Sequence, residues 1–265
     1  MNRLARTNSL KPSNGKSAQT RQLRAKALRV ARRLEQFLGV PRQEKRLPKP
    51  LDMLIATILS QNTNDKNSHR AYTLLRSKYP TWDAVAKLPT RSLKTTIRVG
   101  GMANQKAPRI KEALAAVASR YGRYDLKSLE RKSNDNVIEE LTTLKGVGFK
   151  TASCVLLFSM GRDVFPVDTH VHRICGRLGL ARGCKTPEKT YEVMKLLVPK
   201  GRGYSFHTNL IRFGRKVCRS NNPACDICPL FAECEYEGKS KNAVRRTPSQ
   251  TDHDFMLLDN VQVSA

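Results

Sequence analysis

The sequence predicts an all-α protein, on three observations. Apolar residues recur at steps of three and four along most of the chain, which is the spacing of one helical face. No stretch alternates apolar and polar residues between turn signals, as a half-buried strand does. Proline, glycine and the capping residues Ser, Thr, Asn and Asp return at helix-length intervals. About ten helices are expected, and no internal repeat stands out.

Residues 1–21 are polar and basic and are expected to be a disordered arm. From Gln22 to Leu38 the positions Leu23, Ala27, Val30, Leu34 and Phe37 form one apolar face, which Gly39 and Pro41 end. A connector leads to Pro50–Ser60, a helix apolar enough to be buried. It stops in the polar patch from Gln61 to Asp65, where Asn64 or Asp65 can cap the next helix, at about 66–78. Short helices follow near 81–88 and 91–98, with Thr81 and Thr90 as caps. The turn from Val99 to Asn104 leads into a helix from Gln105 to Tyr121 that carries Pro108 in its first turn. Asp135–Leu144, a glycine turn and Ala152–Met160 read as helix, hairpin, helix. Asp168 or Thr169 caps a helix to Leu178, Thr186-Pro187 starts another to Val198, and Gly203–Val217 is the last. Residues 238–265 read as a flexible tail.

The chain carries 49 Lys+Arg against 22 Asp+Glu, a net charge of +27 and a pI near 10.3. Such an excess points to a polyanion, and to nucleic acid before a membrane surface. No apolar run is long enough to span a bilayer. The first 34 residues hold ten Lys or Arg and no acid, which fits either a DNA-binding arm or a mitochondrial transit peptide. The seven cysteines suit an intracellular protein, since four of them crowd into one loop rather than forming a disulfide framework.

Two groups carry chemistry. Gly146 and Gly148 allow a tight turn whose free backbone N–H groups suit a phosphate. Lys150 follows at the start of a helix, where the positive helix end and neighbouring cations disfavour its charged form and so favour a nucleophilic amine. Read by position alone, it equally suits a phosphate-contacting lysine. Asp168 comes eighteen residues on, as an N-cap or as a carboxylate facing developing positive charge. The second group is Cys218, Cys225, Cys228 and Cys234, spaced C-x6-C-x2-C-x5-C. Thiolates suit an iron–sulfur cluster or zinc, and one close pair with two flanking cysteines suits a [4Fe–4S] cluster better. Cys154 and Cys175 fall in apolar helical contexts and read as core residues. Cys184 reads as a loop thiol.

Leu-x-Gly-Val-Gly-x-Lys-Thr-Ala, then Val-Asp-Thr-His, then the cysteine loop, in this order and spacing, resembles endonuclease III of the helix–hairpin–helix DNA glycosylase superfamily over roughly residues 25–237. The resemblance implies a six-helix domain at 49–163. A second domain, from 22–48 and 164–237, would carry a [4Fe–4S] cluster on the four cysteines, with DNA bound in the cleft between the two. It implies a monomeric intracellular enzyme acting with DNA, in cytoplasm or nucleoid, or in nucleus or mitochondrion. The partner implied is double-stranded DNA with damaged bases or abasic sites, and no membrane.

Residue by residue, Lys150 resembles the catalytic lysine and Asp168 the essential aspartate of the family. Gly146, Val147, Gly148, Lys145, Thr151 and His170 fall in its DNA-binding motifs, and His172 reads as structural. Asn62 and Met102 match the positions that fill the space left by a flipped nucleotide. Relatives usually have Gln at the first and often have Leu at the second. Asn62 also reads as a helix C-cap, and Asp65 as a capping residue at another family position. Lys145 replaces the family's proline before the hairpin, and the cysteine loop offers only Arg219 to DNA. The implied activity is removal of damaged, oxidised pyrimidines through a Lys150 Schiff base, followed by β-elimination. The rivals are a monofunctional adenine- or mismatch-type glycosylase of the same superfamily and a non-catalytic iron–sulfur DNA-binding module.

Overall fold

The computed structural model describes residues 14–244, with side chains for 18–243; the rest of the N-terminal arm and of the C-terminal tail lies outside them. Among the described residues there is no strand, and twelve α-helices follow in order. They are α1 (Asn14–Leu38), α2 (Pro50–Ser60), α3 (Asp65–Lys78), α4 (Trp82–Lys87), α5 (Thr90–Ile97) and α6 (Ala103–Tyr121). Then come α7 (Asn134–Thr142), α8 (Phe149–Ser159), α9 (Thr169–Arg177), α10 (Pro187–Leu197), α11 (Gly203–Lys216) and α12 (Lys239–Val244). None is long and apolar enough to cross a membrane.

Caps explain most of the starts. Asn64, Thr81, Ser133, Asp168 and Thr186 each accept a backbone N–H from the first turn that follows. Four expectations change. α1 begins at Asn14, so residues 14–21 are helical rather than a disordered arm. Residues 239–244 form α12 inside the expected tail. Lys239 holds it there by donating its ammonium to the carbonyls of Phe231 and Cys234. α6 begins at Ala103, which puts Pro108 in its second turn. Thr90 is the first residue of α5 and makes no side-chain cap, the N-cap being Pro89.

The buried residues form two hydrophobic cores. One runs from Leu51 to Val164 and packs α2 to α8 around each other, with α2 against α8. The other joins Ala27, Val30, Ala31 and Leu34 of α1 to Phe165–Leu230, with α11 against both α1 and α9. Phe149 at the start of α8 packs against both cores, its ring 4.1 Å from that of Tyr191. The loop from Cys218 to Cys234 turns back on the second core through two short 3₁₀ turns. Ion pairs from Arg29 to Glu233 and from Lys26 to Glu235 tie it to α1.

Gly214 of α11 lets the helices of the second core approach. A Cβ there would stand 2.9 Å from His170 Nδ1 and 3.0 Å from Ile174 Cδ1 on α9. Gly214→Ala must push α9 away, and an overpacked contact of this kind costs roughly 1–3 kcal/mol, to be measured as a fall in urea unfolding free energy.

Candidate active site

A cavity of about 620 Å³ opens along the seam between the two cores. The end of α2 and the following turn line it with Met53, Thr57, Gln61, Asn62 and Asp65. α8 contributes Lys150, Cys154 and Phe158. The 167–170 turn contributes Asp168 and His170, and α11 contributes His207 and Arg215. The structure thus brings Lys150, Asp168, His170 and Asn62 into one cavity. Met102, Lys145 and the hairpin glycines lie outside its lining, and so do the four cysteines.

Lys150 is the second residue of α8, and Cys154 follows one helical turn later on the same face. The Cys154 thiol and the carboxylates of Asp168 and Asp65 hold the Lys150 ammonium above its usual range, against the effect of burial. Burial in turn raises the Cys154 pKa, and the Lys150 ammonium beside it works against that rise. This corrects the expectation that the helix end would depress Lys150: Asp168 and Asp65 face it in the cavity, and the amine rests protonated.

Asp168 is the N-cap of the helix that follows it. Its Oδ1 accepts from Val171 N at 2.8 Å as the N-cap of α9, and its Oδ2 has no donor among the described residues. Two histidines flank it. Arg173 donates to His170 Nδ1 at 3.1 Å, which leaves the proton of the neutral ring on Nε2. Burial lowers the His170 pKa, helped by Arg173 and Arg215. His207, 1% exposed, sets Nδ1 2.8 Å from the Pro166 carbonyl, which makes Nδ1 the donor and Nε2 the acceptor. Burial pulls His207 down to about 4. His172 bonds Thr190 Oγ1 at 2.7 Å and is structural, as expected.

The hairpin is more selective than its sequence suggests. Gly146 sits at φ +80°, and the N–H groups of Gly146 and Gly148 find no acceptor among the described residues. Val147 is buried and donates its N–H to Leu144 O at 3.0 Å, so it anchors the hairpin from within rather than meeting DNA. The Thr151 side chain is buried as well. Lys145 is exposed and pairs with Glu112 at 3.2 Å. Asn62 (φ +50°) and Met102 (φ +51°) both take the left-handed conformation. Asn62 is the residue just past the α2 C-cap, and Met102 is the N-cap of α6, with 39% of its surface exposed. The α3 cap is Asn64, which frees Asp65 to pair with Arg215 across the cavity mouth.

Sequence reading missed three contributors. Gln61 takes a hydrogen bond from Arg109 at 3.0 Å and gives one to Gly146 O at 3.1 Å, so it fixes the hairpin to α2 and α6. Lys106 and His207 are buried polar groups on helix faces that are otherwise apolar. Their positions, among Ala107, Ile110 and Ala113 and among Phe206, Leu210 and Ile211, carried that signal.

The family model for HhH-GPD superfamily base excision DNA repair proteins matches residues 55–200, over half the chain. The chain belongs to this superfamily. Endonuclease III of Thermotoga maritima is 38% identical over 206 residues, which are 77% of this chain and 92% of that protein. A putative DNA glycosylase of Arabidopsis thaliana is 39% identical over 190 residues, 68% of this chain and 64% of that one. Among solved structures, a non-covalent endonuclease III–DNA complex matches with a TM-score of 0.70 at 28% identity, covering 84% of this chain and 97% of that one. A trapped endonuclease III–DNA covalent intermediate matches with a TM-score of 0.69, also at 28% identity, covering 84% and 98%.

Burying His207 neutral has a thermodynamic consequence. Its folded pKa of about 4 lies below the unfolded value. Between those two the unfolded chain binds more protons, so stability is full above about pH 6.5 and falls as pH drops towards 4. The loss expected from this residue is about 3 kcal/mol. His207→Asn should flatten the urea-unfolding free energy across that window relative to the parent.

Proposed function

We propose that the protein is a base excision repair glycosylase with lyase activity on abasic sites, acting on damaged, oxidised pyrimidines in double-stranded DNA. The observation that carries this is Lys150 in one cavity with Asp168, beside a hairpin with free backbone N–H groups. The superfamily match and the likeness to endonuclease III, in a DNA complex and in a trapped covalent one, support it. The gap-filling roles of Asn62 and Met102 belong to the same proposal.

The N–H groups of Gly146 and Gly148 hold a backbone phosphate, and the net charge of +27 draws the duplex in. The damaged nucleotide turns out of the stack into the cavity. Lys150 arrives protonated, so it must lose a proton before it attacks, and Asp168 Oδ2 is placed to take it. The amine then forms a bond to C1′ while the C1′–base bond breaks, its electron pair leaving with the base. Asp168 stabilises the positive charge that spreads over the sugar. The sugar ring then opens: the C1′–O4′ bond breaks, O4′ takes a proton, and the nitrogen lone pair forms the C1′=N Schiff base, which makes the C2′ proton acidic so that its loss expels the 3′ phosphate and nicks the strand. His170 Nε2–H and His207 Nε2 offer one donor and one acceptor beside the reacting sugar.

Cys218, Cys225, Cys228 and Cys234 would hold a [4Fe–4S] cluster. The thiols act on one another electrostatically, and three of them pack on the second core. Arg177 Nη1 lies 3.3 Å from Cys218 Sγ, where it can donate to a thiolate. Among the described residues no three His, Cys, Asp or Glu side chains close around one point. Held by these four thiolates, a cluster would cross-link the loop and would supply no bond-breaking group to the cavity, whose lining excludes these four cysteines.

Borohydride should trap the parent on abasic DNA, and Lys150→Ala should trap nothing. Equal trapping by both proteins would remove the mechanism. Asp168→Asn keeps an equivalent N-cap, so its thermal unfolding should barely move while base release slows by about 10²–10⁴-fold. The purified protein should contain iron and sulfide and absorb visible light. Zinc without visible absorption would exclude the cluster.

A further inference from the structure

Lys106 is buried to 1% exposure on α6, yet no carboxylate faces it. Its ammonium donates to Leu59 O at 2.6 Å, Thr63 Oγ1 at 2.5 Å and Gly100 O at 2.8 Å. Three donors meet three acceptors, which is the full capacity of a protonated lysine. Thr63 Oγ1 also donates to Gly100 O at 2.6 Å, so the same hydroxyl joins both sides of the contact. Burying an ammonium against neutral oxygens alone is costly, and an apolar side chain would fill the space with less penalty. What the lysine joins explains its presence.

Leu59 and Thr63 bracket the end of α2, and Gly100 closes the turn before α6. Asn62 stands between Leu59 and Thr63, and Met102 between Gly100 and Lys106. They are two of the three non-glycine residues with positive φ among those described. A residue other than glycine in this conformation carries strain, and persists where its surroundings over-determine it. Lys106 is such a surrounding, because it ties the Leu59 carbonyl and the Thr63 hydroxyl on either side of Asn62 to the Gly100 carbonyl just before Met102. Met102 also offers an exposed apolar side chain on a highly basic protein. Inserting apolar side chains into unstacked base steps is a recurrent device.

We propose that Lys106 is a positioning residue. It holds Asn62 and Met102 at a fixed separation and in strained backbone, ready to occupy the space that a departing nucleotide leaves. This deepens the proposed function and rests on it. A filler placed in advance lowers the cost of extrusion, which falls on binding and commitment rather than on bond breaking. A nucleotide that is already unpaired has no partner to leave and needs no filler. Lys106 should therefore matter for a paired lesion and not for an abasic site in a single strand.

The test compares the full-length parent, Lys106→Met and Thr63→Val by single-turnover rate on two substrates. One is a duplex with an oxidised pyrimidine opposite a purine. The other is a single-stranded oligonucleotide with an abasic site. A 2-aminopurine beside the duplex lesion reports unstacking. For Lys106→Met the duplex rate should fall roughly 10–100-fold with a smaller rise in fluorescence, while the single-strand rate stays within about twofold of the parent. Thr63→Val, which removes one of the three acceptors, should show a smaller fall with the same selectivity. It decides the matter if Lys106→Met does not fold. A variant that slows equally on both substrates shows a merely structural role and overturns the inference, and so does one that slows on neither. If the parent itself acts on neither substrate, the proposed function fails, and the inference falls with it.

Discussion

The burial of α8 is the constraint on which the rest depends. Nine residues, Thr151 to Ser159, are buried, so this helix is surrounded on every side. α2 and α7 cover it within the first core, and α11 of the second core touches it as well. Phe149 belongs to both cores, which removes the freedom to rotate at the helix start. Lys150 is the helix's only charged residue, and it emerges at the end where the cores part. Its side chain lines the cavity in the seam. The hairpin that precedes it is pinned from inside by Val147 and from outside by Gln61.

Two scales of electrostatics act in opposite senses. Over the whole molecule the excess of cations attracts a polyanion, a long-range effect that does not choose a reaction. In the cavity, Cys154, Asp168 and Asp65 raise the Lys150 pKa against the effect of burial and so favour its charged form. The resting protein thus holds a cation where a phosphate-rich ligand arrives, and a carboxylate beside it that can take the proton. Asp65 is itself paired with Arg215, so the field at Lys150 also depends on α3 and α11 keeping their places.

Much of this was legible in the sequence, for identifiable reasons. Helix starts are readable where a capping side chain coincides with a turn, as at Thr81, Ser133 and Asp168. Residues 14–21 have no apolar stripe to announce them, yet they extend a helix that is already nucleated downstream. The residues of the cavity could be collected because motif spacing marks Lys150 at the start of α8 and Asp168 at the start of α9. Their electrostatics could not, since the acids that raise Lys150 come from other elements, Asp65 from the start of α3 and Asp168 from the start of α9. Val147 shows the reverse failure. Its place in a motif suggests an outward role, but its N–H and side chain both turn inward. Lys106 reads as one more cation in a basic chain until its place on the apolar face of α6 is weighed.

The central claim is that the geometry of α8 selects one amine from among the 22 lysines and the N-terminus. Reducing the protein–abasic DNA adduct with borohydride, digesting both partners and locating the modified residue by mass spectrometry tests it most directly. The account expects the sugar remnant on Lys150 alone. A remnant on another lysine or on the N-terminal amine would contradict it.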